Sequence, residues 1–325
     1  MKNSIILNKN ISGQGTGGKL RTFFKNISPL NNRSDMPQFL FVVKKLLTFA
    51  FCYWAGLLLA EALVIGGLYA CGKNFLHGEM FSDDVMMLIK LYGMAVVIAV
   101  SVLCWKRIEK RKLSDMGVTG KVPDWFVGAG IGLLLILVSV FAIMTTGTIK
   151  YESVSADPDI TMLLLMLGGY AVQSAAEEFL SRGLVFCGLK DRVPLPVAVA
   201  ANAFVFTVPH LSSMSGSEPQ FVLSGIINLA AISCLFSFLT RRTGNIWAAT
   251  GLHSMWNFGL ACVLGLGLSG SEGTVSVINM RAEGENLLNG GIYGIEASII
   301  TTSLLIAAAL LVWHSYKKDN SERKA

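Results

Sequence analysis

Charged residues are scarce in this chain. Asp, Glu, Lys and Arg make up 15% of its 325 residues, whereas a soluble domain carries roughly 25%. Hydrophobic residues account for 53% of the sequence, and the mean hydropathy is +0.57. This deficit of charge excludes an ordinary soluble domain, since too few charged side chains are present to cover a water-facing surface. It predicts an all-α, polytopic membrane protein built as a bundle of apolar helices.

Cysteine motifs and soluble-protease motifs are also missing. The six cysteines form no CxxC pair and lie in or at the ends of apolar runs, so we expect free, buried thiols rather than a zinc knot or a disulfide framework. The HExxH motif of soluble zinc proteases is absent. Residues 1–40 lack the apolar stretch of a cleavable signal, and residues 322–325 do not form a prenylation motif, so we expect neither modification.

The apolar residues are concentrated in eight runs of roughly membrane-crossing length. Residues 1–40 are polar and are expected to form a flexible cytoplasmic tail. Residues 41–318 would form the transmembrane domain, and residues 319–325 a short cytoplasmic tail. The runs cover 46–72, 85–105, 122–147, 160–189, 195–211, 220–240, 244–268 and 292–315.

Basic residues are distributed unevenly among the segments between these runs. Of the 27 Lys and Arg residues, 22 lie in alternate segments that begin with the amino-terminal tail, and only Lys73, Lys150 and Arg281 lie in the other segments. The positive-inside rule therefore predicts eight spans with both termini in the cytoplasm. The basic residues that set this topology account for the net charge of +6. We therefore expect the lipid bilayer, and no nucleic acid, as a partner.

The run at 160–189 contains three charged residues, Glu177, Glu178 and Arg182. A charge near the bilayer centre costs about 2.5–3.5 kcal/mol, so such groups usually face the bundle interior and act there. Glu178 and Arg182 are four residues apart and can pair on one helix face. Glu177 is rotated by about 100° from Glu178 and has no such partner in its helix, which leaves it available to a proton or a water.

Two later runs contain histidine at helical spacing from a second residue. His210 follows Phe206 by four residues, and His253 precedes Asn257 by four. Each pair therefore lies on one helix face, provided that Pro209 only kinks its helix. The other charges in apolar runs are less informative: Lys90 and Glu296 are expected to reach the membrane surface from run ends, and Glu61 has no assigned role.

These polar groups have the chemistry of a hydrolytic centre. At about 1.5 Å of rise per residue, Glu177, His210 and His253 all fall within the hydrocarbon layer, so we expect them to meet in one pocket. Glu177 would activate a water that His210 positions, while His253 and Asn257 would donate hydrogen bonds to the oxyanion. Glu177, His210 and His253 are equally a donor set for zinc, and the residues alone leave both versions open.

In their order on three spans, these motifs resemble the CPBP intramembrane protease family, also called the CAAX-protease and bacteriocin-processing family or Abi family, which includes the Ras-converting prenyl endopeptidases. The motifs are Glu177-Glu178-x-x-x-Arg182, Phe206-x-x-x-His210 and His253-x-x-x-Asn257. The resemblance covers about residues 160–265, the expected catalytic core. It implies an intramembrane endopeptidase that cleaves a membrane-associated peptide or protein, and an expected location in a bacterial plasma membrane.

The resemblance also implies roles for single residues. Glu177 would be the general base, supported by the pair of Glu178 and Arg182, and Asn257 an oxyanion donor. His210 and His253 would be catalytic or would bind zinc or another divalent metal together with Glu177. The family's metal dependence is disputed, so both a metalloprotease and a metal-free glutamate mechanism are expected alternatives.

Other functions need to be weighed against proteolysis. The same family contains non-catalytic bacteriocin-immunity and scaffold proteins, which would keep the polar cluster for structure. A proton-coupled transporter is disfavoured because no duplicated half is visible. Gly267-x-Ser269-Gly270 resembles a rhomboid-type nucleophile motif, but Ser269 is expected at the opposite membrane surface. The GxGxxG pattern at 265–270 ends a membrane helix instead of following a strand, so it is attributed to chance.

Overall fold

A computed structural model describes residues 16–28, 36–268 and 275–322 of this protein. Its elements are overwhelmingly helical, because a backbone in hydrocarbon must satisfy its hydrogen bonds within its own segment. The α-helices are α1 (Thr16–Ile27), α2 (Gln38–Ala70), α3 (Asp83–Gly93), α4 (Ala95–Leu103), α5 (Asp124–Met144), α6 (Ile160–Glu178), α7 (Cys187–Leu189), α8 (Leu195–Thr207), α9 (Pro219–Thr243), α10 (Trp247–Phe258) and α11 (Ile299–Glu322).

Seven helical segments of the described residues are long and apolar enough to cross a membrane. They are Gln38–Ala70, Asp83–Ile108, Asp124–Met144, Ile160–Leu189, Leu195–Met214, Pro219–Thr243 and Ile299–Asp319. The remaining expected run, 244–268, forms α10 and a π-helical extension, Gly259–Val263, which is shorter and enclosed by the other helices. The predicted all-α, polytopic membrane fold is confirmed, with a central helix in place of one full-length span.

Two short strands were not predicted. Strand β1 (Ile149–Val154) pairs antiparallel with β2 (Ile278–Ala282), and Lys150 lies opposite Arg281. The pairing requires the segment after α5 and the segment before α11 to lie on the same side of the bundle, as the alternation of basic residues predicts. Part of the expected 269–291 loop is therefore a strand, while the rhomboid-like Ser269 lies outside the described residues.

The amino-terminal region also differs from a uniformly flexible tail. Residues 1–15 and 29–35 lie outside the described part of the chain, but α1 is a helix with exposed Leu20, Phe23 and Phe24. Its apolar residues recur at helical spacing, a signal that the polar composition of the segment obscured. Helix α2 begins at Gln38, within the predicted tail, and buries Lys44 and Lys45 beside Glu109, whose Oε1 is 3.5 and 3.0 Å from the two Nζ atoms.

Close packing of α5 against α10 fixes the position of the central helix. A Cβ atom at Gly128 would lie 1.9 Å from the Ala248 carbonyl oxygen, and one at Gly132 would lie 2.6 Å from that of Leu252. Gly130, by contrast, has nothing within 4 Å. Of the predicted small-residue face, Gly128 and Gly132 therefore contact α10, and their lack of a side chain lets the two backbones approach closely.

The six cysteine thiols differ in their exposure. Cys52, Cys104, Cys187 and Cys262 are buried, whereas Cys71 is exposed and Cys234 is half-buried, so the expectation of uniformly buried thiols is wrong for two of the six.

One apolar core lies around α5, α9, α10 and α11, and a second lies around α2, α4, α6 and α8. The polar side chains described next lie where these two cores meet.

Candidate active site

A change of helical geometry occurs where the charged residues of α6 lie. Helix α6 ends at Glu178 and continues as a π-helix from Phe179 to Phe186, a geometry that is frequent at functional sites. Across this junction Arg182 Nε lies 3.0 Å from Glu178 Oε2, and both side chains are 0% exposed. The predicted pairing of these two residues is therefore present, deep in the protein interior.

Arg182 is held by aromatic rings as well as by its carboxylate partner. Its Cζ lies 4.4 Å from the centroid of the Phe206 ring and 4.6 Å from that of Phe236. Such placement stabilises a guanidinium through cation–π attraction, which is strengthened when the group is removed from water. The two rings therefore help this buried cation to hold Glu178 in place.

His253 joins the buried pair to Glu177. Its Nδ1 lies 3.1 Å from Glu178 Oε1, and its Nε2 lies 3.8 Å from Glu177 Oε2. Because Glu178 is ion-paired with Arg182 and a carboxylate oxygen can only accept, we assign the Nδ1 proton of His253 to this contact, which leaves the lone pair of Nε2 facing Glu177. The ring stacks on Phe236 with centroids 5.3 Å apart, so its orientation is fixed from two sides.

His210 is oriented by the backbone of its own segment. Helix α8 ends at Thr207, and a 3₁₀ segment from Val208 to Met214 carries the histidine. His210 Nδ1 lies 2.8 Å from the Phe206 carbonyl oxygen, which can only accept, so this nitrogen bears the proton. Its Nε2 lies 4.0 Å from Glu177 Oε2. The kink at Pro209 thus preserves the predicted proximity of Phe206 and His210.

Both imidazole rings face the same oxygen atom of Glu177. Glu177 Oε2 is buried and has no hydrogen-bond partner in the described residues, while two imidazole Nε2 atoms face it at 3.8 and 4.0 Å. All three are acceptors in the assigned protonation states, so the space between them suits a group that brings hydrogens or positive charge. A water molecule fits this requirement, since distances near 4 Å leave room for one bridging molecule.

Sequence reasoning missed Gln173. Its Nε2 donates a hydrogen bond to Glu177 Oε1, and its Oε1 accepts one from Asn257 Nδ2 at 2.9 Å. The expectation that Glu177 lacks a partner in its own helix is therefore wrong. Gln173 lies four residues before Glu177, so the spacing that identified Glu178 and Arg182 would have found it.

All of these groups except Glu178 and Arg182 line one cavity of ≈ 420 Å³. Helix α6 contributes Tyr170, Gln173 and Glu177 to its wall, and α10 contributes His253 and Asn257. The remaining wall is largely apolar, as is typical of a ligand pocket.

Glu177, His210 and His253 meet some but not all of the requirements of a zinc site. Two imidazole nitrogens and one carboxylate oxygen are the right donor types. The Nδ1 atom of His253 contacts Glu178, and metal-ligating histidines usually make such a contact through their second ring nitrogen. However, tetrahedral ligands at zinc bond lengths lie about 3.4 Å apart, less than the 3.8 and 4.0 Å measured to Glu177 Oε2. In the described part of the chain no group of three such side chains has metal-site spacing, so closure by about half an ångström would be needed.

The fold and these contacts define an integral membrane protein with a buried cluster of glutamate and histidine side chains. Residues 159–259 match the family model described as Type II CAAX prenyl endopeptidase Rce1-like, a segment that contains all six predicted site residues. The resemblance to the CPBP family is confirmed in this domain, which covers about a third of the chain. At family level the match supports a CAAX-type endopeptidase. Comparisons with curated proteins and with solved structures gave no match.

Proposed function

We propose that this protein is an intramembrane endopeptidase that hydrolyses a peptide bond of a membrane-associated peptide or protein in a bacterial plasma membrane. The observation that carries this proposal is the buried Glu177 Oε2, which faces the Nε2 atoms of His210 and His253. A carboxylate placed beside two oriented imidazoles in a partly enclosed, largely apolar cavity is suited to general-base chemistry.

In the proposed reaction a water molecule lies among these three atoms. It donates one hydrogen to Glu177 Oε2 and the other to a histidine Nε2, which leaves a lone pair facing the cavity. Glu177 takes a proton as the water oxygen bonds to the carbonyl carbon of the substrate, and the carbonyl electrons move to its oxygen. Glu177 then returns this proton to the nitrogen as the carbon–nitrogen bond breaks, which releases the amine and the new acid.

Asn257 and Gln173 have complementary roles in this mechanism. Asn257 uses one Nδ2 hydrogen for Gln173, so its second hydrogen is available to the oxyanion of the tetrahedral intermediate. Gln173 holds the other oxygen of Glu177, which directs Oε2 toward the water. His253 accepts through Nε2 in its neutral form, so it becomes an oxyanion donor only after it takes a proton.

Glu178 and Arg182 are positioning residues in this proposal. Glu178 accepts a hydrogen bond from the Nδ1–H group of His253 and thereby sets which nitrogen of the ring faces Glu177. Arg182 holds Glu178 in turn. Neither side chain lines the cavity, so neither touches the substrate.

Zinc is the alternative way of activating the same water. Glu177, His210 and His253 would hold the ion, which would supply a more acidic water molecule and polarise the carbonyl group. The two versions share every protein residue, and only removal of the metal separates them.

Cleavage by purified protein in lipid vesicles tests the proposal, with a panel of single-span peptides as substrates. Glu177→Gln should abolish cleavage, while Glu61→Gln, which removes an exposed carboxylate of α2 away from the cavity, should leave it intact. Retained cleavage in Glu177→Gln would contradict the proposal. Cleavage that survives complete chelation supports the metal-free version, and a chelator-sensitive rate restored by zinc supports the other. An immunity or scaffold phenotype that persists in Glu177→Gln would favour the non-catalytic alternative.

A further inference from the structure

Helix α1 has an apolar face that the rest of the described chain leaves largely uncovered. At about 100° per residue, one arc of this helix, about 100° wide, contains Leu20, Phe23, Phe24 and Ile27. Ile27, at the end of the arc, is buried, and α1 contacts α2. The side chains of Leu20, Phe23 and Phe24 are 54%, 41% and 59% exposed. A cluster of large apolar side chains that stays exposed in this way marks an interaction surface.

Basic residues flank the apolar face on both sides. Lys19 lies about 40° beyond Phe23 at one edge of the arc, and Arg21 lies about 60° beyond Phe24 at the other. Helix α1 contains no acidic residue, and no ion pair of Lys19 or Arg21 is present within the described residues. Lys25 falls on the opposite side of the helix. An apolar stripe flanked by Lys and Arg is typical of a helix that lies in the surface of a bilayer.

The length of α1 agrees with a surface position. Its 12 residues extend over about 18 Å, less than the hydrocarbon core of about 30 Å, so the helix does not cross the membrane. Isolated helices shorter than about 12–15 residues are marginal in water, and Gly17 and Gly18 lower the helix propensity further. Among the α1 residues whose burial is described, Ile27 alone is buried, so the described chain supports only one end of the helix.

We propose that α1 is a docking surface for anionic phospholipids of the cytoplasmic leaflet, with its apolar face among the acyl chains and with Lys19 and Arg21 on the headgroups. Helix α1 precedes α2, which begins at Gln38 and is long enough to cross the membrane. The distribution of basic residues predicts that this side is cytoplasmic. Anionic lipids give this leaflet a negative surface potential, which attracts basic residues next to a span.

A second copy of the chain is a poorer match for this face than the leaflet. Pairing of two α1 helices would bring only positive charges together, because the helix has no acidic residue. Residues 16–27 contribute nothing to the wall of the cavity that contains Glu177. The docking surface therefore does not depend on the proposed endopeptidase function.

Amide hydrogen exchange of the full-length protein in lipid nanodiscs tests this surface. Nanodiscs of phosphatidylcholine alone are compared with nanodiscs in which about a third of the lipid is phosphatidylglycerol. Exchange of residues 16–27, corrected for intrinsic rates, should be slower by at least about tenfold in the anionic nanodiscs, because each Lys or Arg near an anionic leaflet strengthens attachment about fivefold. High salt should remove most of this difference by screening. A photoactivatable phosphatidylglycerol should also label residues 16–27.

Two pairs of substitutions separate the docking surface from a general effect of positive charge. Lys19→Gln combined with Arg21→Gln should remove the lipid-dependent difference, since Gln keeps the helix propensity but has no charge. The matched control, Lys106→Gln combined with Arg107→Gln, removes two exposed cations from another segment of the same predicted side and should keep the difference. Lys19→Arg preserves the charge and should also keep it.

Thermal unfolding of each variant shows whether the fold is retained. Equal exchange of residues 16–27 in the two kinds of nanodisc would overturn the docking surface. A difference that survives the combined Lys19→Gln and Arg21→Gln substitutions would do the same, as would crosslinks from α1 to a second copy in place of the lipid. Loss of the difference in Lys19→Arg as well would show that the charge is not what the lipid recognises.

Discussion

His253 lies between two carboxylates, with Nδ1 3.1 Å from Glu178 Oε1 and Nε2 3.8 Å from Glu177 Oε2. Adjacent residues of α6 thus face opposite nitrogens of a single ring. Glu178 is fully buried with Arg182, while Glu177 opens to the cavity. The two neighbouring glutamates are therefore expected to differ in kind, one being structural and the other reactive.

This difference predicts opposite effects on stability. Glu178→Ala leaves the Arg182 guanidinium without its carboxylate in the interior, so the free energy of unfolding should fall by about 3–5 kcal/mol. Glu177→Gln keeps the shape and the contact with Gln173, so the unfolding temperature should stay close to that of wild type while cleavage is lost. Denaturant unfolding in detergent, followed by tryptophan fluorescence, measures both.

A double variant controls for nonspecific damage. Glu178→Leu combined with Arg182→Met removes both charges together, and it should be more stable than either single variant because no unpaired charge remains. Equal destabilisation by the single and the double variants would contradict the assignment of a coupled pair.

Gln173 should matter for rate more than for fold. Gln173→Leu removes the hydrogen bond that holds Glu177 Oε1 and the acceptor of Asn257, so kcat should fall by about 10- to 100-fold, as the loss of hydrogen bonds worth about 1.5–3 kcal/mol implies. Peptide affinity should change less than kcat, because the loss concerns orientation of the base. Gln220→Leu, on the exposed start of α9, is the control. An unchanged kcat in Gln173→Leu would remove this residue from the mechanism.

The sequence predicted which apolar runs carry Glu177, His210 and His253, but it did not predict the contact of Gln173 or which atoms face one another. Periodicity and charge placed Glu177, His210 and His253 at compatible depths in apolar runs, because membrane helices have fixed rise and the charges in them are few. Which imidazole nitrogen faces which carboxylate depends on contacts between distant segments, such as that of His253 with Glu178. No spacing along the chain encodes those contacts.

Glu296 and the strands were missed for a related reason. A charged side chain near the end of an apolar run can either reach the membrane interface or turn toward the bundle interior. Glu296 is only 8% exposed and borders the cavity, so the expectation that it reaches the membrane surface is wrong. For Glu296, the packing of the short turn before α11 decides between these two positions. The β1–β2 pair is short, and its partners are more than 120 residues apart in the chain. Local propensity carries little information about pairing at such separations.

The β1–β2 pair should loosen at low pH. A hydrogen bond and charge attraction from Lys150, followed by those from Arg281, lower the pKa of Glu283 below its ordinary value. A carboxylate with a lowered pKa in the folded state stabilises that state above its unfolded-state pKa, and this contribution is lost as the pH falls through the folded pKa. Amide hydrogen exchange of residues 278–282, measured from neutral pH to about pH 3 and corrected for intrinsic rates, should therefore show less protection in acid. Glu283→Gln should flatten this dependence, and Glu285→Gln, an exposed neighbour, should retain it.

The glycines of α5 offer a test of how α10 is held. Gly128→Leu forces a side chain into a space where even a Cβ atom would lie 1.9 Å from the Ala248 carbonyl oxygen, whereas Gly130→Leu points into open space. Because α10 carries His253 and Asn257, displacing it moves both relative to Glu177. We expect Gly128→Leu to lose cleavage and at least about 1–3 kcal/mol of stability, the usual cost of overpacking, and Gly130→Leu to keep both. Activity in vesicles and thermal unfolding compare the two variants directly. Equal behaviour of the pair would show that the approach of α5 to α10 does not set the geometry of the site.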